Sequence, residues 1–236
     1  MDDLKKLDFK ELEKLYQSET IKPTFDYVHI ILALIIFGKN NKEGLGRYRL
    51  KKELLIGPGT ARSLVTKLNE NIGFIKVLNE DNKRKGHILT EKGKVYLKKV
   101  KEKLPLIKKV ATEDLKDIIL NADTSKVCLI LIRNAADNMG TGIEQRDAAI
   151  KVEGLGATCL IFDGKKLHYP YKSKKHEKEN KVFVKEKIQM YLKKQIDKEG
   201  YHLKQGDVII LGLGDSFKKA RLAGLNAAFT LIKGKS

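Results

Sequence analysis

"GPGTARSLVTKLNENIGFIKVLNEDNKRKGHILTEKG", residues 57–93, decides the fold of the first half of this chain. Gly57-Pro58-Gly59 is a strong turn, because proline and glycine both stop the helix before them. Thr60 then reads as the cap of a helix whose Ala61, Leu64, Val65 and Leu68 keep an i, i+3, i+4, i+7 apolar stripe. Two strand-like runs follow, FIKVL and HIL, joined by a polar tip that ends in Lys83-Arg84-Lys85. Thr90 caps the next helix, and Glu91 suits the positive potential of its first turn.

Upstream, GRYRLKKELLI (46–56) reads as a short helix with Leu50, Leu54 and Leu55 on one face and Arg47, Arg49, Lys51 and Lys52 around the rest. Before it, Phe25 to Phe37 is apolar on nearly every face and closes at Gly38. Such a helix belongs at the centre of its domain or in a dimer interface. Leu4, Leu7, Leu12 and Leu15 predict an amphipathic N-terminal helix ending before Pro23. Helix, helix, tight turn, helix, two-stranded hairpin, helix is the order of a winged helix-turn-helix.

The charge is uneven. The 236 residues carry a formal +18 with 42% hydrophobic content, which suits a folded protein that meets polyanions. Residues 1–41 hold 6 Lys against 7 acids, a net −1. Residues 42–109 hold 15 Lys and 4 Arg against 7 acids, a net +12. Residues 110–236 hold 20 Lys and 3 Arg against 16 acids, a net +7. Adaptation to heat also enriches lysine and glutamate, but spread over the whole surface rather than concentrated beside one hairpin.

Cys128 and Cys159 each lie inside an apolar run, as buried thiols of a reducing cytoplasm, and no metal-ligand spacing surrounds them. MDDLKKLDFK lacks the apolar core of a signal peptide, and VHIILALIIF is far shorter than the roughly 20 residues of a membrane span. A cytoplasmic protein is expected, with no membrane partner, no metal and no cofactor.

"LGRYRLKKELLIGPGTARSLVTKLNENIGFIKV…KGHILTEKGKVYL" resembles the winged-helix DNA-binding domains of prokaryotic transcription regulators over about residues 25–104. Their pattern is a short helix, a turn, a Thr- or Ser-started recognition helix, a basic wing and a closing L-T-x-K-G helix. The whole architecture is similar to an archaeal group of uncharacterised winged-helix proteins with their own C-terminal domain, a resemblance that implies no established activity. If the stripe of the third helix packs inward, Thr60, Arg62, Ser63, Thr66 and Lys67 project outward, as a helix in a major groove requires. Arg62 is the candidate for a guanine edge. Lys83, Arg84 and Lys85 would reach the adjacent backbone or minor groove, and Arg47, Arg49, Lys51 and Lys52 the phosphates. RNA binding and a purely structural module are the alternatives.

The expected organisation is a winged-helix domain at 1–104, a linker helix within 105–125 and an α/β domain at 126–236, an α+β or α/β fold overall. SKVCLILIR and GDVIILGLG read as buried strands, ATCLIFDGKKLHY as a hairpin around Asp163-Gly164, and IEQRDAAIKVEG, KVFVKEKIQMYLKKQIDKEG and SFKKARLAGLNAAFTLI as helices. A small anionic ligand is expected at two strand–glycine–helix junctions. The first offers Asn134, Asp137, Asn138, Gly140, Thr141, Gly142, Gln145, Arg146 and Asp147, and the second Gly214, Asp215 and Ser216. The alternative is that the glycines only make turns and Arg146 pairs with Glu144 or Asp147. No Walker A spacing is present, GLGD is a fragment of a dinucleotide fingerprint, and neither His168 nor His176 has a Ser or Cys partner, so no catalytic residue is assigned. HYPY (168–171) packs a turn or forms an aromatic lid.

The sequence thus points to a DNA-binding transcription regulator whose C-terminal domain senses a ligand or mediates assembly. A homodimer on double-stranded DNA is expected, with the N-terminal helix and residues 28–37 as candidate dimer surfaces. A winged-helix enzyme acting on a nucleotide or phosphorylated metabolite, and a non-specific architectural DNA-binding protein, are the other readings.

Overall fold

The computed structural model describes residues 9–16, 24–79, 81, 86–119, 121–171 and 181–232. The chain forms two compact units, Met1–Val100 and Lys101–Ser236. The fold is mixed α/β, with helices dominating the N-terminal part and a five-stranded sheet in the C-terminal part.

In the first unit α1 (Lys10–Glu13) is one turn, extended by a 3₁₀ turn at Lys14–Tyr16, and buries Leu12 and Leu15. Leu4 and Leu7 lie outside the described residues. Helix α2 (Tyr27–Lys39) is the core, with Val28, Ile30 to Leu34 and Phe37 all inaccessible to water. Asp26 caps it reciprocally with His29, whose Nδ1 accepts the Asp26 backbone N–H at 3.0 Å. Burial inside its own unit removes α2 as a dimer surface. Gly38 does not close the helix either. It lies inside α2, where a Cβ would come within 2.4 Å of Leu97.

Helix α3 (Arg47–Leu54) ends on a left-handed Leu55, and α4 (Pro58–Thr66) begins after an extended Gly57, with proline in its first turn where a missing N–H costs nothing. The expected Thr60 cap is therefore wrong. Thr60 lies within the first turn, and its hydroxyl shares a 2.7 Å hydrogen bond with Thr24. Strands β1 (Ile75–Val77) and β2 (His87–Leu89) pair antiparallel, and β2 is also bridged by Leu45, an extra rung that no run of apolar residues announced. Gly86 makes the bridge possible: its φ is 82°, and a Cβ would lie 2.6 Å from the Leu45 carbonyl carbon. Thr90 does cap α5 (Glu91–Lys103), accepting the Gly93 N–H at 3.1 Å and donating to the Gly73 carbonyl at 2.7 Å.

The stretch expected to hold a linker helix instead holds a strand, β3 (Leu106–Val110), and a 3₁₀ turn at Glu113–Leu115. Strand β3 joins β4 (Lys126–Ile132), β7 (Val208–Gly214), β5 (Gly156–Phe162) and β6 (Leu167–His168) in the order β3-β4-β7-β5-β6, and every neighbouring pair is antiparallel. Alternate side chains of β4, β5 and β7 pack on α7 (Glu186–Asp197) through Ile188, Leu192 and Ile196. On the other face α6 (Ile143–Lys151) and α8 (Phe217–Ile232) cover the sheet. Strand β7 and α8 meet at glycine: a Cβ on Gly212 would lie 2.4 Å from the Ala220 oxygen and the Gly224 nitrogen. With both sheet faces covered, continuous apolar strands are what burial requires.

Candidate functional site

The first turns of α3 and α4 and the start of β2 frame an open cleft of about 840 Å³. Arg47, Tyr48 and Lys51 of α3, Pro58, Gly59, Ala61 and Arg62 of α4, and Gly46, Gly86 and His87 line it. Among the described residues three cations line the space and no carboxylate does. Arg47 and Arg62 have no ion pair with a described carboxylate, and both are exposed. Tyr48 is 67% exposed, and the Nζ atoms of Lys51 and Lys52 lie 5.3 and 4.5 Å from its ring centroid.

His87 sits half-buried in the wall. Burial, and then the Arg47 charge, push its imidazole below the usual histidine range, and its enclosed Nδ1 has no hydrogen-bond partner. His87, Tyr48 and the three lining glycines were absent from the sequence-based set. The signal was available: a histidine heading a strand directly after a basic tip and a glycine.

The remaining expected contacts divide. Arg62 and Thr66 are exposed on α4, and Ser63 is half-buried. Lys67 does not project outward, because its Nζ donates to the Leu15 carbonyl at 2.8 Å. Arg49 and Lys52 are exposed outside the cleft lining. Lys83, Arg84 and Lys85 lie outside the described residues.

In the second unit the two expected ligand junctions lie at opposite ends of the sheet. Ile132 at the end of β4 pairs with Val208 at the start of β7, whereas Gly214 at the end of β7 pairs with Lys126. Six residue steps at roughly 3.3 Å separate the ends by about 20 Å. At the first junction most polar groups hold the loop itself. Asn134 takes a left-handed turn, and buried Asp207 accepts hydrogen bonds from its N–H, from Lys204 and from Arg133. Asn138 donates to the Leu231 carbonyl at 2.7 Å, and the Gln145 amide donates to Thr230 at 2.5 Å while its oxygen is enclosed without a partner. Gly142 supplies a left-handed N-cap, and Asp137, Gly140 and Thr141 are exposed. Arg146 pairs with Asp147 at 2.9 Å, both more than half exposed.

At the second junction Gly214 packs against α8, Asp215 pairs with Lys219 at 2.9 Å, and Ser216 accepts the Lys219 N–H. His168 is buried with Nδ1 at 2.8 Å from the Tyr169 carbonyl and its ring against Tyr171, a packing role. Cys128 and Cys159 are free buried thiols, and burial pushes the pKa of Cys159 up to about 12. Among the described residues no three His, Cys, Asp or Glu side chains gather as a metal site, and no helix is long and apolar enough to cross a membrane.

Comparison with known proteins adds two findings. A family described as a domain of unknown function, DUF4443, matches residues 124–231. The solved structure "Hypothetical protein PH0730 from Pyrococcus horikoshii OT3" is similar to 89% of this chain and 94% of its own, at 26% identity and a TM-score of 0.62. No curated protein matches.

Proposed function

We propose that the first unit is a winged helix-turn-helix that binds double-stranded DNA, and that the protein regulates transcription. The cleft carries the reading: three cations face open space with no described carboxylate beside them, in the segment where the chain concentrates a net +12. Cations without a carboxylate partner are suited to phosphates, whose condensed counterions they displace. Helix α4 is the recognition helix of this proposal. Its Arg62 and Thr66 stay exposed while Ala61, Leu64 and Val65 bury the opposite face. The antiparallel β1–β2 pair is the wing of this proposal.

Capture of genomic DNA fragments on the full-length protein tests the reading. A small set of enriched fragments supports a regulator. Uniform recovery of random duplex would instead favour an architectural coating protein, and recovery of no DNA would end the nucleic-acid reading.

A further inference from the structure

We propose that the cleft between α3, α4 and β2 seats one phosphate of the DNA backbone, and that His87 takes up a proton as that phosphate arrives. This rests on the DNA-binding reading above and adds a proton linkage to it. The cleft is of ligand size, about 840 Å³, and two helices begin on its rim, at Arg47 and at Pro58. Glycines at 46 and 59 leave the backbone uncovered there, since a Cβ at either would meet nothing within 4 Å.

Among the described residues, the groups that line the cleft around His87 are positive or neutral. Helix α3 brings Arg47 and Lys51, α4 brings Arg62, and Leu45 and Gly86 bring backbone alone. Strand β1 and α2, which also pack against β2, carry Lys76, His29 and Lys39, none of which lines the cleft. Among the described residues no acceptor holds a proton on Nδ1, which is enclosed without a partner. Burial, and then the Arg47 charge, therefore favour the neutral His87 ring before an anion arrives. A phosphate among Arg47, Lys51 and Arg62 offsets part of their positive potential and places an acceptor near the ring, so the imidazolium becomes more favourable than before. By linkage, what raises proton affinity on binding must raise anion affinity as pH falls.

The test is duplex affinity of the full chain at fixed salt from pH 7.5 to 5.5, for the native protein and for His87→Gln, with His87→Asn as a second neutral variant. A parallel titration with inorganic phosphate follows the His87 ring resonances. The native protein is expected to tighten by about three- to tenfold over this range, the upper figure matching about a tenfold gain in the ring's proton affinity on binding. The neutral variants are expected to bind as the native protein does at high pH and to lose most of that gain. If both retain the full pH dependence while binding DNA, the His87 linkage is wrong and the DNA-binding reading stands. If duplex never binds but inorganic phosphate moves the His87 resonances, the occupant is a free phosphate compound, and both the backbone assignment and the DNA-binding reading fall. If neither ligand has an effect, the cleft is not an anion site.

Discussion

The two units treat their polar groups in opposite ways. Around the first unit's cleft, Arg47, Lys51 and Arg62 face space that no described carboxylate shares. In the second unit Asp207, Asn138 and Asp215 are held by Arg133, Leu231 and Lys219. A side chain engaged within the fold has its hydrogen-bonding capacity already used, whereas an uncompensated cation cluster stores attraction for an outside anion. Both units contain glycine-rich junctions, so glycine by itself does not distinguish a binding loop from a close-packed one. The partners of the polar neighbours do.

The contrast can be broken first at the second unit's glycine seam. Gly212→Val places a branched side chain where Ala220 and Gly224 leave no room, and backbone on both sides cannot yield as a flexible side chain would. A loss of about 3 kcal/mol or more is expected, read as faster amide exchange in β4 and β7; unchanged exchange there would refute the tight β7–α8 contact. The next effect is on binding. Arg47→Ala combined with Arg62→Ala is expected to weaken duplex affinity at least tenfold, about 1.4 kcal/mol or more, while Asp137→Ala combined with Arg146→Ala leaves it unchanged. Equal losses from both double variants would erase the distinction between the units.

Smaller still is an effect of pH on the first unit. Burial, opposed by Asp26, holds the His29 imidazole below its ordinary range. A depressed folded value means the unfolded chain binds the extra proton, so this contribution is complete above about pH 6.5 and is lost as pH falls toward the folded value. His87 adds to stability in the same direction. His29→Gln should lower stability at pH 7.5 and reduce its fall on acidification, checked by thermal melting at pH 7.5 and 5.5. The smallest change is expected at the Arg146–Asp147 pair, where both groups are more than half exposed. Arg146→Ala should shift stability by less than about 0.5 kcal/mol. A loss several times larger would show that the pair does more than decorate a helix surface.

Local patterns were readable in the sequence wherever one physical rule dominated. The α4 stripe of Ala61, Leu64 and Val65, continued by Leu68 in the π-helical turn Lys67–Asn71, the Thr90 cap and the Asp163-Gly164 turn are set by neighbours a few residues away. The Asp163 carboxylate bears this out, accepting the N–H groups of Lys165 and Lys166. Long-range facts were not readable. β3 pairs with a strand about twenty residues further on, and its Lys108-Lys109 sequence hides a strand with a polar edge. The Leu45–His87 bridge depends on one glycine opening space for another segment's backbone. Sheet direction was hidden too, and it alone separates the two expected ligand junctions.

The site was legible in part for the same reason. Arg47, Lys51 and Arg62 could be found because outward cations follow from helical spacing, whereas His87 enters only through tertiary packing. Lys67 looked equally outward on the wheel but reaches back to the Leu15 carbonyl, a contact across 52 positions.

The central claim is tested most directly by titrating a labelled DNA duplex with the full-length protein at salt concentrations from 50 to 200 mM. Several phosphate contacts predict that log affinity falls linearly with log salt, with a slope of about −3 or steeper. A flat response, or no binding at the lowest salt, would contradict the DNA-binding account.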